Sequence, residues 1–309
     1  MEKETYFFAG ADQKVYLARL FDKENPKIEL TPPLKDFHDL VLYMDRIAKG
    51  KILAFTVTGD LYIFSYRKIE DVFEGEEGVK VRKIPTNFPG FERILSLGDH
   101  QYLCQIGERN FLALDFKGET EEVHLKFQGN LSGSQDEITS FLKLSQSKLA
   151  LGTRSGDLLE VTYGDQGLEI ENKVKMFPGP IGKLGLLENE NGDQTTCGIL
   201  GSQGNLALYD WRRKEVSNVQ ALQGQLFRLE SKRGTALVLS EDGLAYLLGE
   251  NLGQWTVNAK VTLSDLFLLN TIPLDSTNYL TLDLEGKCFL LKIDRLDSVE
   301  KLHAMNLCQ

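Results

Sequence analysis

Apolar and polar residues alternate with a period of two along most of this chain, in paired runs separated by a short polar turn. The pattern occurs seven times: FFAGADQKVYLARL from Phe7, LAFTVTGDLYIFSY from Leu53, LCQIGERNFLALDF from Leu103, LALGTRSGDLLEVTY from Leu149, GILGSQGNLALYDW from Gly198, ALVLSEDGLAYLL from Ala236 and YLTLDLEGKCFLLKI from Tyr279. Successive copies start 46, 50, 46, 49, 38 and 43 residues apart. Thr58-Gly59-Asp60, Ser155-Gly156-Asp157, Gln203-Gly204-Asn205 and Asp242-Gly243 supply the positive-φ positions of a tight turn. Each copy is therefore predicted to be a β-hairpin.

Two further strand-like runs separate successive hairpins, such as Val79 to Ile84 with Phe91 to Leu97, and Leu168 to Val174 with Ile181 to Leu187. That makes four strands per repeat, with no helical periodicity of useful length. A repeated four-stranded unit of this size predicts an all-β, seven-bladed β-propeller with four-stranded antiparallel blades, residues 1–309 forming one domain. A β-sandwich also has many short strands, but gives no reason for similar hairpins at near-constant spacing.

A second repeat falls where one blade should cross to the next: Phe88-Pro89-Gly90, Phe127-Gln128-Gly129, Phe177-Pro178-Gly179 and Leu222-Gln223-Gly224, with glycines 39, 50 and 45 residues apart. An apolar residue, a spacer and Gly at that point resembles the Leu-x-Gly-His entry of WD repeats. Leu208-Tyr209-Asp210-Trp211-Arg212 resembles their Trp-Asp exit. The resemblance covers nearly the whole chain as architecture, and the blade from about 181 to 220 comes nearest in letters. Where the family has His, this chain has Phe91, Asn130, Pro180 and Gln225, and Tyr209 replaces the exit Trp. The family's buried His, Ser/Thr, Asp and Trp network is thus expected to be largely missing, leaving packing to hold the blades. Ala236 to Trp255 is similar to a repeat of the regulator-of-chromosome-condensation propellers, the runner-up assignment.

The first hairpin starts so early that no innermost strand precedes it. The tail Val299 to Leu307 is a candidate to close the ring, yet the last blade needs an outer strand from the same residues. One blade is expected to be incomplete at this seam, the alternative being a strand donated by a partner.

Composition narrows the chemistry. With 42% hydrophobic and 26% charged residues the chain is of the ordinary globular class, and it has no apolar run long enough to span a bilayer. Its start, MEKETYFF, has no signal-peptide pattern, so an intracellular protein, cytoplasmic or nuclear, is expected. Cys104, Cys197, Cys288 and Cys308 lie far apart, which predicts buried reduced thiols rather than disulfides or a zinc site. The net charge of −10 works against nucleic-acid binding.

No catalytic, cofactor-binding or metal site is expected, and no cofactor. His38, His100, His124 and His303 are isolated, and the acidic run Glu70-Asp71 through Glu76-Glu77 reads as a solvated loop. Arg67-Lys68, Arg212-Arg213-Lys214 and Lys292 with Arg295 follow third strands. Asp22, Glu24, Glu70, Asp71, Glu119, Glu121 and Asp297 share those ends and offset their charge. At the opposite ends, position alone nominates Phe91, Arg109, Asn130, Arg154, Gln225 and Glu241 as partner-binding residues. Leu131 to Glu137 reads as the most flexible segment, with serines open to phosphorylation. These observations favour a non-catalytic protein-interaction scaffold, a subunit binding other proteins or peptides in a larger complex. The alternatives are an adaptor for an anionic ligand, nucleic acid or phospholipid, through the basic strand ends, and a propeller enzyme with a central-channel site.

Overall fold

The computed structural model describes residues 4–9, 13–21, 27–32, 34, 37–74, 78–118, 120–164, 167–251, 254–264, 268–273, 278–283, 287–295 and 298–306. Asp22, Glu24, Glu76, Glu77, Glu119, Asp297, Leu307 and Cys308 lie outside the described residues. The chain divides into two compact units, 1–134 with 163–168, and 135–162 with 169–309.

The first unit holds a three-stranded sheet, β1 (Glu4–Ala9), β2 (Val15–Phe21) and β3 (Lys27–Leu30), and two four-stranded ones. The second sheet is β4 (Val41–Ala48), β5 (Lys51–Thr56), β6 (Leu61–Ser65) and β7 (Lys80–Ile84), and the third is β8 (Arg93–Gly98), β9 (Gln101–Gln105), β10 (Asn110–Lys117) and β11 (Glu122–Asn130). The second unit carries β12 (Ile138–Lys143), β13 (Lys148–Thr153), β14 (Asp157–Gly164) and β15 (Gly167–Lys175), whose last turn belongs to the first unit. Then come β16 (Ile181–Leu187), β17 (Thr196–Gly201), β18 (Asn205–Asp210) and β19 (Glu215–Ala221). Two further sheets follow: β20 (Leu226–Lys232), β21 (Thr235–Ser240), β22 (Leu244–Asn251) and β23 (Gln254–Thr262), then β24 (Leu268–Pro273), β25 (Asn278–Asp283), β26 (Lys287–Arg295) and β27 (Ser298–Asn306). Every sheet is an antiparallel meander, strands pairing in chain order.

Burial explains the run patterns. The second strands β5, β9, β13, β17 and β21 are buried on both faces, so KILAFT, KLALGT and TALVLS are nearly unbroken small and apolar residues. The outer strands β11, β15 and β23 face solvent on one side and alternate accordingly. Within the first unit, Leu53, Phe55, Ile63, Tyr102, Leu112 and Leu114 fill the space between its second and third sheets. Within the second unit, Leu184, Cys197, Ile199 and Tyr209 form one such layer, and Leu208, Leu229, Val238, Tyr246 and Trp255 form another.

Several expectations are refined. A helix, α1 (Ile69–Glu74), stands where an acidic loop was expected, because Val72 and Phe73 turn inward onto the core beside Phe37 and Phe64. Phe127-Gln128-Gly129 lies inside β11 and is not a crossing. The crossing that follows that sheet is Leu131-Ser132-Gly133, with Leu131 buried and its N–H donated to the Arg109 carbonyl at 3.1 Å. Finally, the tail pairs with β26 as the fourth strand of the last sheet, and the sheet left with three strands is the first. Lys292 and Arg295 lie within β26 rather than after it.

Candidate functional site

A joint at the end of the second strand recurs in four sheets, one in the first unit and three in the second. In the second unit, the residue opening the turn donates its N–H to the carbonyl just before that sheet's first strand: Arg154 to Glu137 at 2.9 Å, Ser202 to Pro180 at 3.1 Å and Glu241 to Gln225 at 2.9 Å. In the first unit, Val57 donates to Leu40 in the same way at 2.9 Å. The turn's glycine then meets the crossing to the next sheet. The Gly156 carbonyl accepts the N–H groups of Met176 and Phe177 at 2.9 and 3.2 Å, Gly204 that of Leu222 at 2.7 Å, and Gly243 that of Leu263 at 2.8 Å. A Cβ on Gly156, whose φ is +93°, would stand 2.2 Å from the Phe177 oxygen. The hairpin glycine and the apolar-x-Gly crossing, separate in sequence, are two halves of one contact.

The backbone of the joint is constant while its side chains are not. The paired positions carry Val57 and Leu40 in one sheet, Arg154 ion-paired with Glu137 in another, Ser202 and Pro180 in a third, and Gln225 donating to Glu241 at 3.2 Å in a fourth.

Two of these joints also hold a polar network that the sequence reading did not contain. In the first unit, Thr58 donates to Asp39 at 2.6 Å, sits 2.9 Å from Thr56 and 3.3 Å from Asp60, and Lys83 closes on Asp60 at 2.6 Å. In the second unit, Ser155 donates to Asp136, and Lys173 and Lys175 reach Asp157 at 2.8 and 3.5 Å. Asp39 and Asp136 each precede their hydroxyl partner by 19 residues. Burial pushes the Asp136 carboxyl up, but hydrogen bonds from Ser155, Thr153 and backbone N–H groups hold it below the usual range. Asp157 is likewise raised by burial and brought lower by Lys173 and Ser155. These Asp, Ser and Thr contacts add a partly exposed polar network beside the packing.

The nominated residues fall out as follows. Phe91 is 3% exposed, its ring packed on Phe55 and Phe88, so it belongs to the core and offers no surface. Asn130 ends β11 opposite Asn110 and is exposed, but it is not the residue after a crossing Gly. Arg109 is half-buried and its guanidinium donates to the Ser134 carbonyl at 3.4 Å. Arg154, Gln225 and Glu241 sit at the joints. Glu137 and Asp136 were missed; only the crossing topology brings them to Arg154 and Ser155.

Among the described residues no group of three or more His, Cys, Asp or Glu is placed to hold a metal ion. Burial raises the thiols of Cys104 and Cys197, the latter to about 12. Asp210 of the Trp-Asp-like exit accepts the N–H groups of Arg212 and Arg213 at 2.9 Å, and the Trp211 indole donates to the Gln194 carbonyl at 3.1 Å.

No protein-family model and no curated protein matches the chain. Solved structures do. The chain is similar to one in the crystal structure of the Mitotic Checkpoint Complex at 9% identity and a TM-score of 0.68, covering 94% of this chain and 86% of that one. The computationally designed Ika8 protein gives 9% and 0.68, covering 99% and 85%. Sqt1 of Saccharomyces cerevisiae gives 10% and 0.69, covering 97% and 81%. At such identities the likeness is one of fold. It lends no support to the regulator-of-chromosome-condensation assignment. The fold is all-β, built largely of four-stranded antiparallel sheets, consistent with a propeller.

Proposed function

We propose that this chain is a non-catalytic protein-interaction scaffold, a subunit of a larger assembly in the cytoplasm or nucleus, and that residues 1–309 make one seven-bladed propeller. Three sheets in one unit and four in the other agree with that count. The observation that carries the function is the joint. Backbone groups bear its mechanical load, so the side chains on it, Arg154 with Glu137 and Gln225 with Glu241, are released to differ from sheet to sheet. A constant frame bearing changing polar and charged groups is what selective recognition of proteins or peptides needs. One of the similar chains was solved within a complex, the Mitotic Checkpoint Complex. The three-stranded sheet offers its β1 edge as the place where a partner strand would add.

Affinity purification from the native source, followed by mass spectrometry, tests this reading. A stable set of protein partners, diminished by Arg154→Ala with Glu241→Ala, is the expected result. A lone monomer that turns over a substrate would overturn it.

A further inference from the structure

Seven hairpins in this chain share one register, and one of them lacks a neighbour. Ala9 pairs with Val15, Phe55 with Leu61, Gln105 with Phe111, Gly152 with Leu158, Leu200 with Leu206, Leu239 with Ala245 and Leu282 with Cys288, a step of six residues each time. By that register β1 is the counterpart of β5, β9, β13, β17, β21 and β25, the second strands of their sheets. Each of those six is paired on both sides, whereas β1 pairs with β2 and ends its sheet. The register also shows which backbone groups are left over. Thr56 donates its N–H toward β6, to the Asp60 carbonyl at 3.1 Å, so Phe55 and Leu53 on β5 present theirs to β4. Gln105, the counterpart of Phe55 on β9, accordingly accepts the Glu92 N–H at 2.8 Å from the β8 side. Ala9 and Phe7 hold the same places on β1, and Thr5 continues the alternation, so the N–H and C=O groups of all three point away from β2. Nothing in the strand blunts that edge: its register with β2 has no bulge, and ETYFFA has no proline and no charge after Glu4.

The six filled sheets show what the place takes. Their first strands begin with an apolar residue, then a spacer, then a residue with a polar end opposite the Ala9 counterpart: VLYM from Val41, FERI from Phe91, ITSF from Ile138, IGKL from Ile181, LFRL from Leu226 and LLNT from Leu268. In five of the six the fourth residue is again apolar where Thr271 stands in the last, and in five the spacer is a bulge. Phe91, Ile138, Ile181, Leu226 and Leu268 are each at most 3% exposed. The leading side chain is therefore the anchor of a first strand, and the bulge re-aims it inward. Each described strand already has its sheet, and no run of undescribed residues exceeds the five at 22–26, against six to eight residues in the first strands.

We propose that β1 takes up an extended segment of a partner protein as the missing first strand, antiparallel to β1. The segment it selects carries an apolar residue, a spacer, a residue with a polar end and a second apolar residue, in that order. The backbone of Thr5, Phe7 and Ala9 supplies the hydrogen bonds, and the leading apolar side chain supplies the selectivity. This rests on the reading of the chain as a protein-interaction scaffold and names the kind of segment that its open edge accepts.

Fluorescence anisotropy of the whole chain with a labelled peptide EITSFLKL, copied from Glu137 to Leu144, tests the proposal. Saturable binding is expected. Ser140 and Leu142 lie opposite Gly152 and Ala150, the counterparts of Ala9 and Phe7, so N-methylation of the peptide at either should weaken binding at least about tenfold. N-methylation at the intervening Phe141 position, whose N–H faces the other way, should leave it within about twofold. Ile138→Asp in the peptide should abolish binding. Thr5→Pro in the protein removes one outward N–H and leaves the β2 ladder intact, so it should weaken binding with an unchanged melting temperature. Absence of binding, or equal weakening by methylation at all three positions, overturns the proposal. A dimer in sedimentation that Thr5→Pro dissolves also overturns it, because a second copy would then hold the edge. If the peptide fails while Arg154→Ala with Glu241→Ala still diminishes the captured partners, the strand proposal falls and the scaffold reading stands.

Discussion

Gly156→Ala measures how much the joint contributes. The residue sits at φ +93°, beyond the left-handed well that L-residues tolerate, so a side chain there costs about 2 kcal/mol from conformation alone. Its new Cβ would stand 2.2 Å from the Phe177 oxygen and 2.4 Å from the Gly179 oxygen. Both are backbone atoms, so relief requires the crossing to retreat by about an ångström. That movement strains the bonds from Met176 and Phe177 to the Gly156 carbonyl, each worth about 0.5–1.5 kcal/mol. The sum is about 3–5 kcal/mol. For a cooperative unit of this size, each kcal/mol lowers the melting temperature by roughly 2–4 °C, so a drop of about 6–20 °C is expected by circular dichroism.

Two controls separate the joint from glycine loss in general. Gly179→Ala places its Cβ no nearer than 3.8 Å, to the Ser202 hydroxyl, and Gly129→Ala meets nothing within 4 Å. Both should melt within about 2 °C of the parent, and Gly129→Ala should sit at or above it, since Ala restricts the unfolded chain. If Gly156→Ala melts with Gly129→Ala, the joint does not hold these sheets.

Three other outcomes follow from the same structure. Glu160 is 1% exposed and accepts hydrogen bonds from Asn172, Tyr209 and Lys214; Lys214→Met should destabilise by about 1–3 kcal/mol, discounted for the half-exposed ammonium, and adding Glu160→Gln should recover part of that loss in a urea double-mutant cycle. Lys51 hydrogen bonding holds the Glu121 carboxyl below its ordinary range, and Lys173 and Ser155 do so for Asp157 against burial; their stabilisation is complete above about pH 5 and fades as pH falls through the depressed folded values, so melting curves from pH 6 to 3 should flatten in Glu121→Gln. Burial keeps Cys104 and Cys197 protonated, Cys197 titrating only near about 12; iodoacetamide at pH 8 should leave both unlabelled in the native protein and label both in urea, read by peptide mapping.

Local chemistry was legible in the sequence and long-range pairing was not. The turns at Gly59, Gly156, Gly204 and Gly243 could be placed because positive φ is a property of a few adjacent residues. Three crossings were legible from their apolar-x-Gly letters, but Phe127-Gln128-Gly129 misled. An outer strand alternates apolar and small residues as a crossing does, and β11 runs to Asn130 before the true crossing at Leu131. Phe91 was misjudged because its place after a crossing suggested surface, whereas its ring fills the gap between Phe55 and Phe88. The Asp136 to Ser155 contact depends on strand register, which no local pattern states.

The joint also accounts for how repeated sheets can keep their pairing while the side chains at it change. A His, Ser, Asp and Trp network ties adjacent strands through side chains, so each substitution in it costs stability. Here the tie runs from the Gly156 carbonyl to Met176 and Phe177, and from Gly204 to Leu222, through groups that every residue but proline possesses. Only the glycine is demanded, which leaves neighbouring positions open to change. Selection on those positions can then follow partners rather than folding.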